Sequence, residues 1–147
     1  MLIHGKCHCG NIAFDLHWDP EPAAIAARAC TCSFCRKHGG VWTSTPHGRL
    51  EVRIEHSAHA SRYAFGTKTA DFHVCTRCGI VPVVTSRIDG NTYAVVSVNA
   101  FEDVEESRLA RAAASFDGEG SDTRLERRKR NWIPDVRFVE RSGADEG

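Results

Sequence analysis

Seven cysteines in a 147-residue chain, gathered into three short groups, constrain this sequence more than any other feature. The first group is Gly5-Lys6-Cys7-His8-Cys9-Gly10, the second Cys30-Thr31-Cys32-Ser33-Phe34-Cys35, and the third Cys75-Thr76-Arg77-Cys78-Gly79. An odd number of thiols cannot pair off completely into disulfides. The segment Met1-Leu2-Ile3-His4-Gly5-Lys6 has no apolar h-region and no small-residue cleavage site, so it does not read as a secretory signal. The expected location is cytoplasmic, where disulfides do not persist and grouped cysteines bind metal or do chemistry.

Zinc takes four ligands in a tetrahedron with Zn–S near ~2.3 Å, which holds neighbouring sulfurs only a few ångströms apart. Cysteines at i and i+2 of a flat strand share a face but stand too far apart for this. The backbone must fold over in a tight turn, which Gly10 and Gly79 directly after the pairs permit. The N–H groups of such turns donate to the sulfurs and offset their charge. Cys7, Cys9, Cys75 and Cys78 would then form a closed structural site, stapling the start of the chain to its middle. Cys30, Cys32 and Cys35 have no fourth cysteine, and three protein ligands with an open position is the pattern of a catalytic zinc. Cys32 and Cys35 are spaced as on the first turn of a helix, where free N–H groups favour thiolates, and Arg36 and Lys37 would depress the thiol pKa values further. Spacing alone does not fix this division of ligands. The second group also reads as free thiols, an oxidised pair or a loosely held metal, and buried cysteines can be inert core residues.

Short β-branched segments dominate the rest. Ile12, Phe14 and Leu16 alternate with polar or small residues, as in a half-buried strand. Ala23 to Arg28 has helical propensity but leads into the second cysteine group, and its end reads as strand. Further strands are expected at Val41–Thr45, Leu50–Ile54, and at Arg62–Phe65 and Ala70–Val74 about a Gly66-Thr67-Lys68 turn. The clearest hairpin is Val81–Ser86 and Thr92–Val98 about Ile88-Asp89-Gly90-Asn91. Phe101–Ala110 suggests one helical turn, Ala112–Asp117 a last strand, and Asp122 the cap of a short basic helix ended by Pro134. Residues 142–147 read as a frayed tail after a single domain spanning 1–141. No run approaches the roughly 20 apolar residues that span a bilayer. Lys plus Arg equals Asp plus Glu at 19 each, and this neutral balance argues against a general nucleic-acid or membrane-surface binder.

Weaker features have plainer readings. His8 between two cysteines could ligate but is expected to point away. His38 and His47 could complete the second site or act as acid or base, yet read as solvated loop residues, and His56 and His59 as surface residues. The run Arg124-Leu125-Glu126-Arg127-Arg128-Lys129-Arg130 could recognise an anion, such as glutathione carboxylates or nucleic acid. With zero net charge it reads more readily as a solvated helix face balanced by Glu102, Asp103, Glu105 and Glu106. Trp42 is expected to pack near the second cysteine group, and Trp132 to cover the core or edge a pocket.

In their order and context, Gly-x-Cys-His-Cys-Gly, Cys-x-Cys-Ser-x-Cys-Arg and Cys-x-x-Cys-Gly resemble the glutathione-dependent formaldehyde-activating enzyme family, which includes centromere protein V. The resemblance covers about residues 3 to 100. It implies a mainly β, β-tent fold of small antiparallel sheets stapled by zinc, followed here by a short C-terminal helix. It implies that Cys7, Cys9, Cys75 and Cys78 hold a structural zinc, and that Cys30, Cys32 and Cys35 hold a second, labile zinc at the catalytic site where glutathione binds. The implied activity is that of a carbon–sulfur lyase, condensing glutathione with formaldehyde or a related small electrophile, with Arg36 and Lys37 steering the anionic substrate. The chain departs from the family pattern at Val74, where phenylalanine often precedes the third motif. The alternative is a non-catalytic module in which zinc only shapes a surface for a protein or nucleic-acid partner, which the basic run would favour.

Overall fold

The computed structural model describes residues 1–140, so the expected tail at 142–147 and the end of the expected domain at 141 lie outside the described residues. In chain order the first elements are β1 (Leu2–Lys6), β2 (Ile12–Trp18), β3 (Ile25–Cys30), α1 (Ser33–His38), β4 (Val41–Thr43) and β5 (Gly48–Ile54). They are followed by β6 (Ala60–Tyr63), β7 (Asp71–Cys75), β8 (Val83–Ile88), β9 (Asn91–Ser97), β10 (Leu109–Ala114), α2 (Ser121–Asn131) and β11 (Asp135–Glu140). The architecture is mainly β. A four-stranded sheet runs β1-β2-β5-β11, and a seven-stranded sheet runs β10-β3-β4-β9-β8-β7-β6. Internal pairings are antiparallel, while β10 and β11 join β3 and β5 in parallel at the two edges.

Alternation sets the inner faces. Ile12, Phe14, Leu16 and Trp18 of β2 point inward with Leu50, Val52 and Ile54 of β5, in a register that pairs Phe14 with Val52 and Leu16 with Leu50. They meet Ile25, Cys75, Val83, Ala94 and Val96 of the larger sheet in one core. Each fully buried Leu, Ile or Phe contributes about 1.5–3 kcal/mol. Gly5 lies opposite Phe14 in β1, and a Cβ there would stand 2.1 Å from Phe14 Cζ. Phe14 is fully buried and also meets Phe101 edge-on, so it has little room to yield. Gly5→Ala is expected to cost about 1–3 kcal/mol by overpacking, measured as a lowered midpoint in urea at unchanged slope.

The hairpin of β8 and β9 closes as expected, with Asp89 (φ 52°) and Gly90 (φ 82°) both left-handed, as a two-residue type I′ turn requires. Other expectations need correction. β6 and β7 pair from Ala60↔Cys75 to Tyr63↔Phe72, so the expected turn at 66–68, where Lys68 N–H donates to Phe65 O (3.0 Å), lies within a longer connection from residue 64 to 70. The last expected strand begins earlier, at Leu109, because its parallel partner Ile25–Cys30 sets the register. Helix α2 is capped at Gly120 without a side-chain hydrogen bond, and Asp122 sits in its first turn instead. Strands β1 and β11 were not expected. β1 is interrupted in composition by His4 and Gly5, and β11 alternates Val136 and Phe138 over too short a run.

His73 of β7 is buried beneath the sheet, with Nε2 2.7 Å from Thr85 Oγ1. Burial, and secondarily the Arg62 charge, lowers its pKa to about 4 from 6.5, with Asp71 opposing. The unfolded chain therefore takes up a proton below pH 6.5 that the folded protein refuses until about pH 4. Stability should fall through that window as pH drops, by about 3 kcal/mol in all. His73→Gln, which cannot titrate, is expected to flatten this part of the stability profile; denaturant melts at stepped pH measure the difference between the two proteins.

Candidate functional site

Two turns of the same construction carry the first and third cysteine groups. In the first, Cys7 N–H donates to Ile12 O (2.8 Å) and Gly10 N–H to Cys7 O (3.1 Å), with Gly10 at φ 85°. In the second, Cys75 N–H donates to Ile80 O (3.0 Å) and Gly79 N–H to Cys75 O (2.7 Å), with Gly79 at φ 79°. Each reversal needs a left-handed residue, which glycine supplies without strain. The segment at 56–59 ties the two turns together. Asn11 Nδ2 donates to the carbonyls of His56 (3.2 Å) and His59 (3.3 Å), while Thr76 N–H donates to the same His59 O (2.9 Å). His56 and His59 are thus half-buried, and their main chains brace the turns rather than lying free at the surface.

As a result the Sγ atoms of Cys7, Cys9, Cys75 and Cys78 lie within 4.8 Å of one another. Cys7 to Cys9 is 3.8 Å and Cys9 to Cys75 is 3.5 Å. These are far longer than the ~2.0 Å of a disulfide and close to the ~3.8 Å edge of a tetrahedron with ~2.3 Å arms. Burial pushes the Cys7 thiol up to about 12 and also raises Cys75. Cys78 is pulled down to about 6: burial opposes this, but N–H groups of Cys9 and Ile80 and the neighbouring thiols outweigh it. Ile12 N–H donates to Cys7 Sγ at 3.3 Å. Four soft donors with N–H support fit zinc, and the group could hold it. His8 is exposed between them.

The second group stands apart. Its sulfurs also lie within 4.8 Å of one another. Cys30 ends β3, Cys32 caps α1, and Cys35 sits on the buried side of that helix. Cys35 N–H donates to Cys32 Sγ (3.3 Å), and the indole N–H of Trp42 donates to Cys35 Sγ (3.4 Å). Hydrogen bonding from Cys35 brings Cys30 down to about 5, helped by the Cys32 N–H and thiol against the opposing effect of burial. Cys35 is raised by sharing that proton with Cys30 and by burial. The two thiols thus shift in opposite directions, Cys30 down and Cys35 up. Three donors this close also fit a metal with an open position.

All three line a cavity of about 410 Å³, a size suited to a small molecule. None of Cys7, Cys9, Cys75 and Cys78 lines it. One side is aromatic: Phe72 packs against Phe34 (4.6 Å between centroids), Phe65 (5.3 Å) and Trp42 (6.0 Å). Another side is basic. Arg28 of β3 and Arg124, Arg127 and Arg128 of α2 all line the cavity. Arg127 makes a paired contact with Glu119 (2.9 and 3.1 Å) and lies over the Phe116 ring.

The basic run is thus not a solvated face balanced by Glu102, Asp103, Glu105 and Glu106. Its partners are Glu119, Asp89 and Glu126, and Arg128 is buried. The spacing of Arg124, Arg127 and Arg128 held this clue, since i, i+3 and i+4 share one face of a helix. Arg36 and Lys37, expected to steer substrate, are exposed on α1 and do not line the cavity. His38 stacks on Phe34, and His47 is exposed. Trp132 both packs and edges the cavity. Among the described residues, no helix is long and apolar enough to cross a membrane.

The family model described as "Glutathione-dependent formaldehyde-activating enzyme" matches residues 2–117. Over 85 residues the sequence is 33% identical to a curated Halomonas elongata protein named "Putative glutathione-dependent formaldehyde-activating enzyme", covering 53% of this chain and 52% of that protein. The chain spans about half the length of that relative. The fold is similar to the crystal structure of a Rhodobacter sphaeroides protein solved as a structural-genomics target, with a TM-score of 0.51 and 26% identity over 74% of this chain and 99% of that one.

Proposed function

The chain belongs to the glutathione-dependent formaldehyde-activating enzyme family, and on that footing we propose that it is a zinc-dependent carbon–sulfur lyase joining a thiol of the glutathione type to formaldehyde or a related small electrophile. One observation carries the reading: of two sulfur clusters, only Cys30, Cys32 and Cys35 face a cavity, while Cys7, Cys9, Cys75 and Cys78 are closed away from it. That separation matches a catalytic and a structural role. The four-sulfur group would hold the structural ion and the trio a second, exchangeable one.

Zinc held by the trio would supply positive charge that favours the thiolate form of an incoming thiol. The chain's own residues do the rest. Trp42 fixes Cys35 through its indole N–H, and Trp42 and Phe72 form an apolar wall beside the trio. The substrate sulfur bonds to the carbonyl carbon, the C–O π pair moves to oxygen, and the proton lost by sulfur is the one oxygen gains. No redox partner is needed, and the reverse path is available to the same residues. The rival reading, a binding module using the basic run, loses its main support because Arg124, Arg127 and Arg128 turn inward to the cavity.

Exchange spectroscopy on mixed formaldehyde and glutathione tests the proposal. Zinc-loaded protein is expected to speed interconversion with the S-hydroxymethyl adduct. A rate unaltered by protein at substrate-like concentration would overturn it.

A further inference from the structure

We propose that Arg128, flanked by Arg124, forms an oxyanion-recognition subsite in the cavity, so that the substrate carries a carboxylate or phosphate at a point away from its reacting sulfur. The inference deepens the reading above, because the thiol substrate is the molecule that would bring the anion.

Arg128 is only 7% exposed, yet it makes no ion pair within 4.0 Å among the described residues. Its hydrogen bonds all leave from one nitrogen, Nη1, to Thr69 O (3.3 Å), Thr69 Oγ1 (2.9 Å) and Ser86 Oγ (3.1 Å). All three acceptors are uncharged. Its Nε is buried without a hydrogen-bond partner. A guanidinium carries five N–H donors in a rigid fork, and the Nε–Nη2 edge matches the two oxygens of a carboxylate or phosphate. Here that edge is the side left without a protein acceptor. The Trp132 ring, 4.9 Å from the guanidinium carbon, helps fix its plane.

A buried cation without an opposing charge is unfavourable, and a ligand anion would relieve it. Arg124 Nε is likewise buried without a hydrogen-bond partner, and lies 3.8 Å from Glu119 Oε1. Glu119 is already engaged in a paired contact with Arg127, and the carboxylate that lines the cavity itself is Asp117. Four guanidiniums therefore face two carboxylates, and the cavity keeps a positive field. Helix α2 begins at Ser121, beyond residue 117 where the family match ends, so Arg124, Arg127 and Arg128 are supplied by sequence outside the matched region.

The test compares binding of glutathione, glutathione diethyl ester and inorganic phosphate to the zinc-loaded protein by calorimetry, with NMR of the cysteine resonances in parallel. Wild type is expected to prefer glutathione over its ester by about tenfold or more, the size of a charge-assisted hydrogen bond. Arg128→Gln and Arg124→Gln should each bring that ratio toward one, whereas Arg130→Gln, exposed and outside the cavity, should keep it. If Arg128→Gln fails to fold, the ester comparison in wild type and the Arg124→Gln variant still decide. Equal binding of acid and ester, with cysteine resonances shifting for both, overturns the subsite and leaves the thiol reading standing. Arg128-dependent phosphate binding with no response to glutathione supports the subsite and overturns the thiol reading.

Discussion

Cys9→Ser is expected to release the structural metal and unfold the protein at ordinary temperature. Cys9 is exposed, so exchanging sulfur for oxygen there removes almost no packing. Any large loss of stability must then come through the ion. Structural zinc held by thiolates contributes about 10–16 kcal/mol at neutral pH, as much as the whole net stability of a typical domain. The geometry explains why so much would rest on one exposed side chain. Residues 7–9 follow β1 and residues 75–78 begin on the last residue of β7, and these strands belong to different sheets. Losing the ion would also leave Cys7 and Cys75 buried without the partner that joins the two turns. Metal content by mass spectrometry and a thermal melt, with and without a strong chelator, measure the effect. An unchanged melting temperature in Cys9→Ser or in stripped wild type would sink the idea of a metal staple.

Cys32→Ser should do the opposite, keeping the fold and losing the chemistry. Cys32 is the N-cap of α1, where its sulfur accepts from Cys35 N–H. Serine is among the best residues for that position, so the helix should survive and stability should change by no more than about 1 kcal/mol. The trio, however, would drop to two sulfurs. We expect one zinc per chain rather than two, and a formaldehyde–glutathione exchange rate indistinguishable from that without protein. Retention of both metal and acceleration would show that Cys32 has no part in the reaction. Together with Cys9→Ser, this pair separates the two clusters experimentally, because one variant fails through stability and the other through activity.

Much of this was legible in the sequence because it is local. Cys7-His8-Cys9-Gly10 and Cys75 to Gly79 prescribe sulfur-presenting turns whatever surrounds them, since glycine alone adopts the left-handed reversal without strain. The hairpin at Asp89-Gly90 and the strands around Phe14 and Val52 followed from equally short-range rules. Features that depend on a distant partner are not legible in this way. β11 is stabilised by its parallel contact with β5, and β10 takes its register from β3. Arg36 and Lys37 adjoin Cys35 in sequence, but α1 turns them to solvent.

The arginines show the same division most clearly. Helical spacing could group Arg124, Arg127 and Arg128, but not say what they faced. The amino-acid sequence by itself determined the chemistry available: seven soft donors in three groups, a β framework, and a helix rich in guanidinium. Only the tertiary structure decided which sulfurs share a cluster, which trio opens to a cavity, and that α2 lays its buried arginine across the same space. The reason is range. Turn geometry is set by neighbouring φ and ψ angles, whereas a cavity is enclosed by elements from distant parts of the chain, held in place by burial that no single segment can specify.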